Sequence, residues 1–263
     1  MNQEAPTSTS GGMFTFKRYS LEVHLPTIRG MRRNQGFFYS EVHIMKTAIL
    51  VDGGFYRRRA YTAYGDVTPE LRAKELYDYC LRHLTDHKTK SDLYRIFYYD
   101  CPATAKRIYH PLLKKQIDFS VSPTYQWTVN FFNELKCKRK LALRLGRLAE
   151  EQAHFTLKPA VVKKLCNGSI NVESLTEADF ILEIEQKCVD MKIGLDIASL
   201  AHKQQVNQII LISGDSDFVP AAKLARREGI DFILDPLFAT IKPDLLEHVD
   251  GIRTCDGRFK PNH

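Results

Sequence analysis

Two uninterrupted apolar runs, residues 48–51 and 209–212, organise the chain, and each gives way at once to carboxylates and glycines. The first reads Ala48-Ile49-Leu50-Val51 and is followed by Asp52-Gly53-Gly54. The second reads Ile209-Ile210-Leu211-Ile212 and is followed by Ser213-Gly214-Asp215-Ser216-Asp217-Phe218-Val219-Pro220. Strands that are apolar at every position have both faces covered, the condition of a parallel sheet between layers of helix. The first run predicts a strand over 47–52 and the second a strand over 209–213. Between and after them the pattern alternates. Pro69 opens a helix to His83, in which Leu71, Leu76, Tyr79, Cys80 and Leu84 recur at helical spacing. Residues 93–99 form a strand of aromatic and branched residues, ended by a loop at Asp100-Cys101-Pro102.

Further along, residues 127–135 read as helix, 155–165 as a short strand and a turn, and 177–185 as a helix or its end. Asp190 starts a helix carrying Ile193, Ile197, Leu200 and Ala201 on one face. A helix over 220–228 closes at Gly229, and 230–234 forms another strand. Repeated strand–helix alternation predicts an α/β domain, a mainly parallel sheet with helices on both faces. It spans 45–263. Residues 1–44 are polar at first and carry no sustained period, so they read as a flexible N-terminal extension.

Composition narrows the functional classes. No apolar stretch approaches the roughly 20 residues that span a bilayer, and the N-terminus lacks the apolar core of a secretory signal. The six cysteines are scattered without a C-x-x-C pair, which argues against zinc and a disulfide framework and for free thiols in the cytoplasm. The 263 residues carry a net charge of +7. Between Asp100 and Arg147 ten basic residues face three acidic ones, an excess equal to that of the whole chain. Aromatic residues interleave there, among them Phe119, Tyr125 and Trp127. Such a mixture suits a phosphate backbone and its bases, and equally a solvated face over an aromatic core. Lys138-Arg139-Lys140 and Arg57-Arg58 are the clusters placed to touch nucleic acid; the first also reads as a helix surface and the second as a solvated first turn.

In parallel sheets ligands bind beyond the carboxyl ends of the strands. Two strands that both deliver aspartate to that edge suggest an oxygen-ligand site for magnesium or manganese. Each acid has a plainer reading. Asp52 can begin a turn, Asp215 can form one, and Asp190 can cap its helix. No metalloprotease helix, P-loop or serine-hydrolase elbow is present.

Three segments resemble the NYN domain, in particular the LabA-like branch of the PIN-like nuclease superfamily. They are Val51-Asp52-Gly53-Gly54-Phe55-Tyr56, Lys187-Cys188-Val189-Asp190 with Asp196, and Ser213-Gly214-Asp215-Ser216-Asp217-Phe218 with Pro220. The resemblance covers about Met45 to Asp250 and implies a PIN-like Rossmannoid fold and metal-dependent cleavage of RNA, single strands favoured. By position it implies Asp52, Asp190, Asp215 and Asp217 as catalytic metal ligands. Asp196, Ser213 and Lys187 stand behind them; on a helix Asp196 is turned about 240° from Asp190, so the two do not face one ion. Gly194 reads as a site of close helix packing. Many NYN proteins carry Asn two residues after the first Asp, where this chain has Gly54. A non-catalytic module binding RNA or protein, or a metal-dependent nucleotide phosphatase, would use the same scaffold. A homodimer or a protein partner is compatible with the sequence.

Overall fold

The first strand forms where the sequence is most apolar. In the computed structural model, which describes residues 45–85 and 90–260, β1 (Lys46–Asp52) buries Ala48, Ile49, Leu50 and Val51 completely. The expected extension 1–44 lies outside the described residues. The chain continues through α1 (Gly53–Tyr64), α2 (Pro69–Arg82), β2 (Asp92–Asp100), β3 (Arg107–His110) and β4 (Lys115–Asp118). Then come α3 (Pro123–Lys136), β5 (Leu141–Leu145), β6 (Arg147–Leu148), β7 (His154–Leu157), α4 (Pro159–Cys166), β8 (Phe180–Glu183) and β9 (Gln186–Lys187). It ends with α5 (Val189–His202), β10 (Gln208–Ile212), α6 (Val219–Arg227), β11 (Asp231–Asp235), α7 (Pro243–Leu246) and β12 (Gly251–Ile252).

Six strands make one sheet in the order β12-β11-β10-β1-β2-β5, with every neighbouring pair parallel. The alternation of side chains along each strand divides the core into two. On one face Leu50, Ile209, Leu211 and Phe232 pack with Ile193 and Ile197 of α5 and Ala222 of α6. On the other, Ile49, Val51, Tyr98 and Ile210 pack with Tyr56 of α1, Leu76 of α2 and Phe131 of α3. Full burial of one such aliphatic side chain contributes about 1.5–3 kcal/mol. Ile49→Ala, which would leave a hole in the sheet's centre, would cost about 2–5 kcal/mol.

The chain builds β1, β2 and β5 outward in one direction, then returns to the far side of β1 and builds β10, β11 and β12 in the other. The order therefore reverses between β1 and β10, the position at which α/β sheets open a crevice at their carboxyl edge. Three antiparallel pairs, β3 with β4, β6 with β9, and β7 with β8, stand outside the sheet.

Several expected elements differ. Gly53-Gly54 is the first turn of α1, because Asp52 caps it by accepting from the backbone N–H of Phe55 at 3.0 Å. Residues 177–185 are a single 3-10 turn followed by β8, whose pairing with β7 outweighs the helical pattern. Residues 155–165 hold most of β7 and of α4, the helix beginning where Pro159 takes its first position.

Candidate active site at the switch point

Asp52 and Ser213 close the gap between the two strands that flank the reversal. Val51 lies opposite Ile212 in the register of β1 and β10, so the next residues of each strand stand side by side. The Ser213 hydroxyl, fully buried, donates to Oδ2 of Asp52 at 3.1 Å and accepts from the backbone N–H of Asp215 at 3.3 Å. With Phe55 on Oδ1, both oxygens of Asp52 are held. Burial pushes the Asp52 carboxyl up, the bonds from Phe55 and Ser213 pull it back, and the charges of Asp190 and Asp100 push it up again.

Asp215 caps the 3-10 turn Ser216–Phe218, its Oδ1 accepting from the backbone N–H of Asp217 at 3.1 Å. Both residues are exposed, as is Asp190. Asp190 does not cap α5. Cys188 takes that position with a left-handed φ of 69°, and Asp190 lies in the first turn. Desolvation raises the Asp190 carboxyl, and the nearby charges of Asp215 and Asp217 raise it further. Asp190 and Asp217 also line one open groove of about 450 Å³, with Met191, Phe218, Pro220 and Leu224. The four acids thus share one edge and act on one another: Asp52 with Asp190, and Asp190 with Asp215 and Asp217.

A cation would relieve this crowding, and carboxylate oxygens are the donors that magnesium and manganese take. By donor chemistry the residues fit such an ion. In their present rotamers, and among the described residues, no three acidic, His or Cys side chains meet closely enough to hold one.

The remaining expected residues are more dispersed. Asp196 accepts from the Tyr99 hydroxyl at 2.8 Å and pairs with Arg144 Nε at 3.0 Å. Lys187 pairs with Glu185 at 3.2 Å. Arg57 forks onto Asp100, Nη2 on Oδ1 and Nε beside Oδ2, each at 3.0 Å. Arg58 is exposed, its Nε reaching only Gly54 O at 3.3 Å. Lys138, Arg139 and Lys140 precede β5 and so stand at the amino edge of the sheet, roughly 15 Å of strand away from the acids. Lys140 Nζ donates to Leu93 O. Gly194 meets open space where a Cβ would stand, so close packing does not explain it.

Two residues escaped the sequence reading. Asp100 ends β2 at the same edge, buried, taking bonds from Arg57, from the Cys101 N–H at 2.8 Å and from the Tyr98 hydroxyl at 3.0 Å. The following Cys-Pro disguised it as a loop residue. Lys242 Nζ donates to Ser216 Oγ at 3.0 Å, bringing a cation to the acidic turn from a distant segment. Asp235 ends β11 but is sealed, holding His83 at 2.9 Å, Thr254 at 2.6 Å and the Leu237 N–H at 2.9 Å.

The sheet is all-parallel, with helices on both faces and acids at its switch point, an arrangement consistent with a PIN-like α/β fold. Residues 132–246 match the family model described as the NYN domain. That span includes Asp190, Asp215 and Asp217. Asp52 lies before it and joins the site through strand register. No curated protein matches the chain. A crystal structure of a protein of unknown function from Vibrio parahaemolyticus RIMD 2210633 is similar at 16% identity, covering 83% of this chain and 97% of that one, with a TM-score of 0.44. A likeness that loose has no bearing on function.

Proposed function

We propose that this chain is a metal-dependent ribonuclease of the LabA-like kind, using Asp52, Asp190, Asp215 and Asp217 with magnesium or manganese on single-stranded RNA in the cytoplasm. The observation that carries the reading is the mutual charge of these acids at the point where strand order reverses. A divalent ion held there would supply Lewis acidity at the phosphate and a nucleophilic water at neutral pH. The protein's own part is positional. Ser213 and the Phe55 N–H keep Asp52 in one orientation. The Asp217 N–H does the same for Asp215. Arg57 neutralises Asp100, so the buried third strand end adds little repulsion to the cluster. Lys242 and Arg58 lie where they can approach an incoming phosphate.

A second reading is a module that binds RNA without cutting it. Such a module would use the exposed Arg58 and Lys242 beside the acidic turn without needing an ion held by the acids. Purified protein incubated with labelled single-stranded RNA, with and without manganese, beside Asp215→Asn, separates the two. Cleavage that needs the ion and is lost in the variant supports the nuclease; binding without cleavage supports the module.

A further inference from the structure

Beside Asp100 the carboxyl edge opens into a cleft whose lining is neither acidic nor purely apolar. It has two lobes, of about 330 and 290 Å³, and Arg57, Thr124 and Thr128 line both. The first lobe lies within, and the second just below, the roughly 300–1,000 Å³ usual for small-ligand sites. Tyr61 and Trp127 line the first lobe; Phe119 and Tyr125 line the second. Tyr61 is 63% exposed, a large aromatic face left in water on a helix that otherwise buries Tyr56 and Ala60. Among the described lining residues Asp66 is the lone carboxylate.

We propose that this cleft seats the bases of a single-stranded nucleic acid, on either side of a phosphate held by Arg57. Aromatic faces interleaved with a cation are the means by which proteins hold unpaired bases without reading their sequence. Asp100 holds the guanidinium of Arg57 by one hydrogen bond from Nη2, with Nε 3.0 Å from the other carboxylate oxygen, and leaves Nη1 for a phosphate oxygen. The hydroxyls of Thr124 and Thr128 give polar edges between the rings. Arg57 is bonded to Asp100 at the end of β2, the strand beside β1 in which Asp52 lies opposite Tyr99, so the cleft leads toward the carboxylates. A duplex cannot use the site, because the faces of its bases are already stacked. The inference rests on the nuclease reading for what the strand is brought to, and not for the binding itself.

Trp127 is the only tryptophan in the chain, so its fluorescence reports on the cleft alone. The experiment is a titration of the full chain with a short single-stranded RNA in the presence of a chelator, read by tryptophan quenching and by anisotropy of a labelled strand. Saturable quenching is expected, weakened about tenfold or more by Tyr61→Ala. Thr124→Glu, which puts a negative charge in the cleft, is expected to weaken it too. Both positions are exposed, and far-UV circular dichroism checks that the variants fold. Absence of quenching, unchanged affinity in both variants, or equally tight binding of duplex RNA overturns the proposal. Asp215→Asn keeps the two readings apart. It should bind and quench as wild type does; absence of cleavage by wild type with manganese would sink the nuclease reading, and full cleavage by the variant would sink the role of Asp215, while the titration still decides the cleft.

Discussion

The Ser213 hydroxyl ties two neighbouring strand ends together by donating to Asp52, 161 positions earlier in the chain, at 3.1 Å. The bond lowers the Asp52 carboxyl against burial, which raises it. Ser213→Ala removes that bond with almost no change in volume. The Asp52 carboxyl should then rise further, so the proton that silences it stays on to higher pH. The acid limb of the pH–rate profile should move upward, with activity near neutrality falling about tenfold or less. The profile is measured for wild type and variant under saturating manganese. An acid limb that stays in place would show that Asp52 does not act as a charged group in the reaction.

Asp190 carries a stability signature as well. Its carboxyl is raised above 3.8 in the folded state, by desolvation first and then by Asp215 and Asp217. A raised acid contributes stability that is present below its unfolded value and lost as pH climbs through the folded one. At neutral pH the charged form is therefore a liability, and Asp190→Asn should melt at a higher temperature than wild type, with the gain vanishing below about pH 3.8. Magnesium should raise the wild-type melting temperature by mass action and the variant's less. Calorimetry across pH decides it. A variant that melts lower at neutral pH would mean that Asp190 supports the fold.

The two glycines after Asp52 should respond oppositely to alanine. A Cβ on Gly53 would stand 2.6 Å from the Tyr98 ring and from the backbone oxygen of Tyr99, and neither can yield easily. Gly53→Ala should cost about 1–3 kcal/mol through overpacking. A Cβ on Gly54 meets nothing nearer than Oδ1 of Asp52 at 3.6 Å. Gly54→Ala lies in the first turn of α1 and should be neutral or stabilising by up to about 1 kcal/mol. Urea denaturation of both variants measures the pair. The same space would admit Asn at 54, so Gly54→Asn is a direct test of whether the residue usual at that place in NYN proteins raises activity.

The elements that could be read from the chain were those whose burial is continuous. Residues 48–51 and 209–212 have helices over both faces, so no polar position interrupts them. α5 was legible because Ile193, Ile197, Leu200 and Ala201 all face the core. α1 was not, because two glycines open it and three arginines fill its middle. Only Gly53, Tyr56 and Ala60 are buried, too sparse a stripe to show a period. β8 was missed because its pairing with β7 joins His154 to Glu183 across a long excursion, which no local pattern records. At the site, Asp52 and Asp215 follow strands that announce themselves. Asp100 and Lys242 depend on contacts with Arg57 and Ser216 that only the folded chain creates.

The basic segment is where placement changes the expectation most. If RNA lies along the carboxyl edge, Lys138, Arg139 and Lys140 are beyond its reach, since they enter β5 from the other end. Arg59 is spent on Leu237 O and Phe259 O at 2.6 and 2.7 Å, and Arg57 is braced by Asp100. Arg58 is the arginine of that trio left exposed without a charged partner among the described residues. Each phosphate contact on a single strand contributes about −0.7 to the slope of log affinity against log salt. Arg58→Ala should therefore flatten the slope by about 0.7, and replacing Lys138, Arg139 and Lys140 together by Ala should leave it unchanged. Anisotropy titrations of labelled single-stranded RNA from low to moderate salt give both slopes. A triple variant that flattens the slope while Arg58→Ala does not would place the RNA on the amino edge, away from the carboxylates, and the acids would lose their claim to its phosphates.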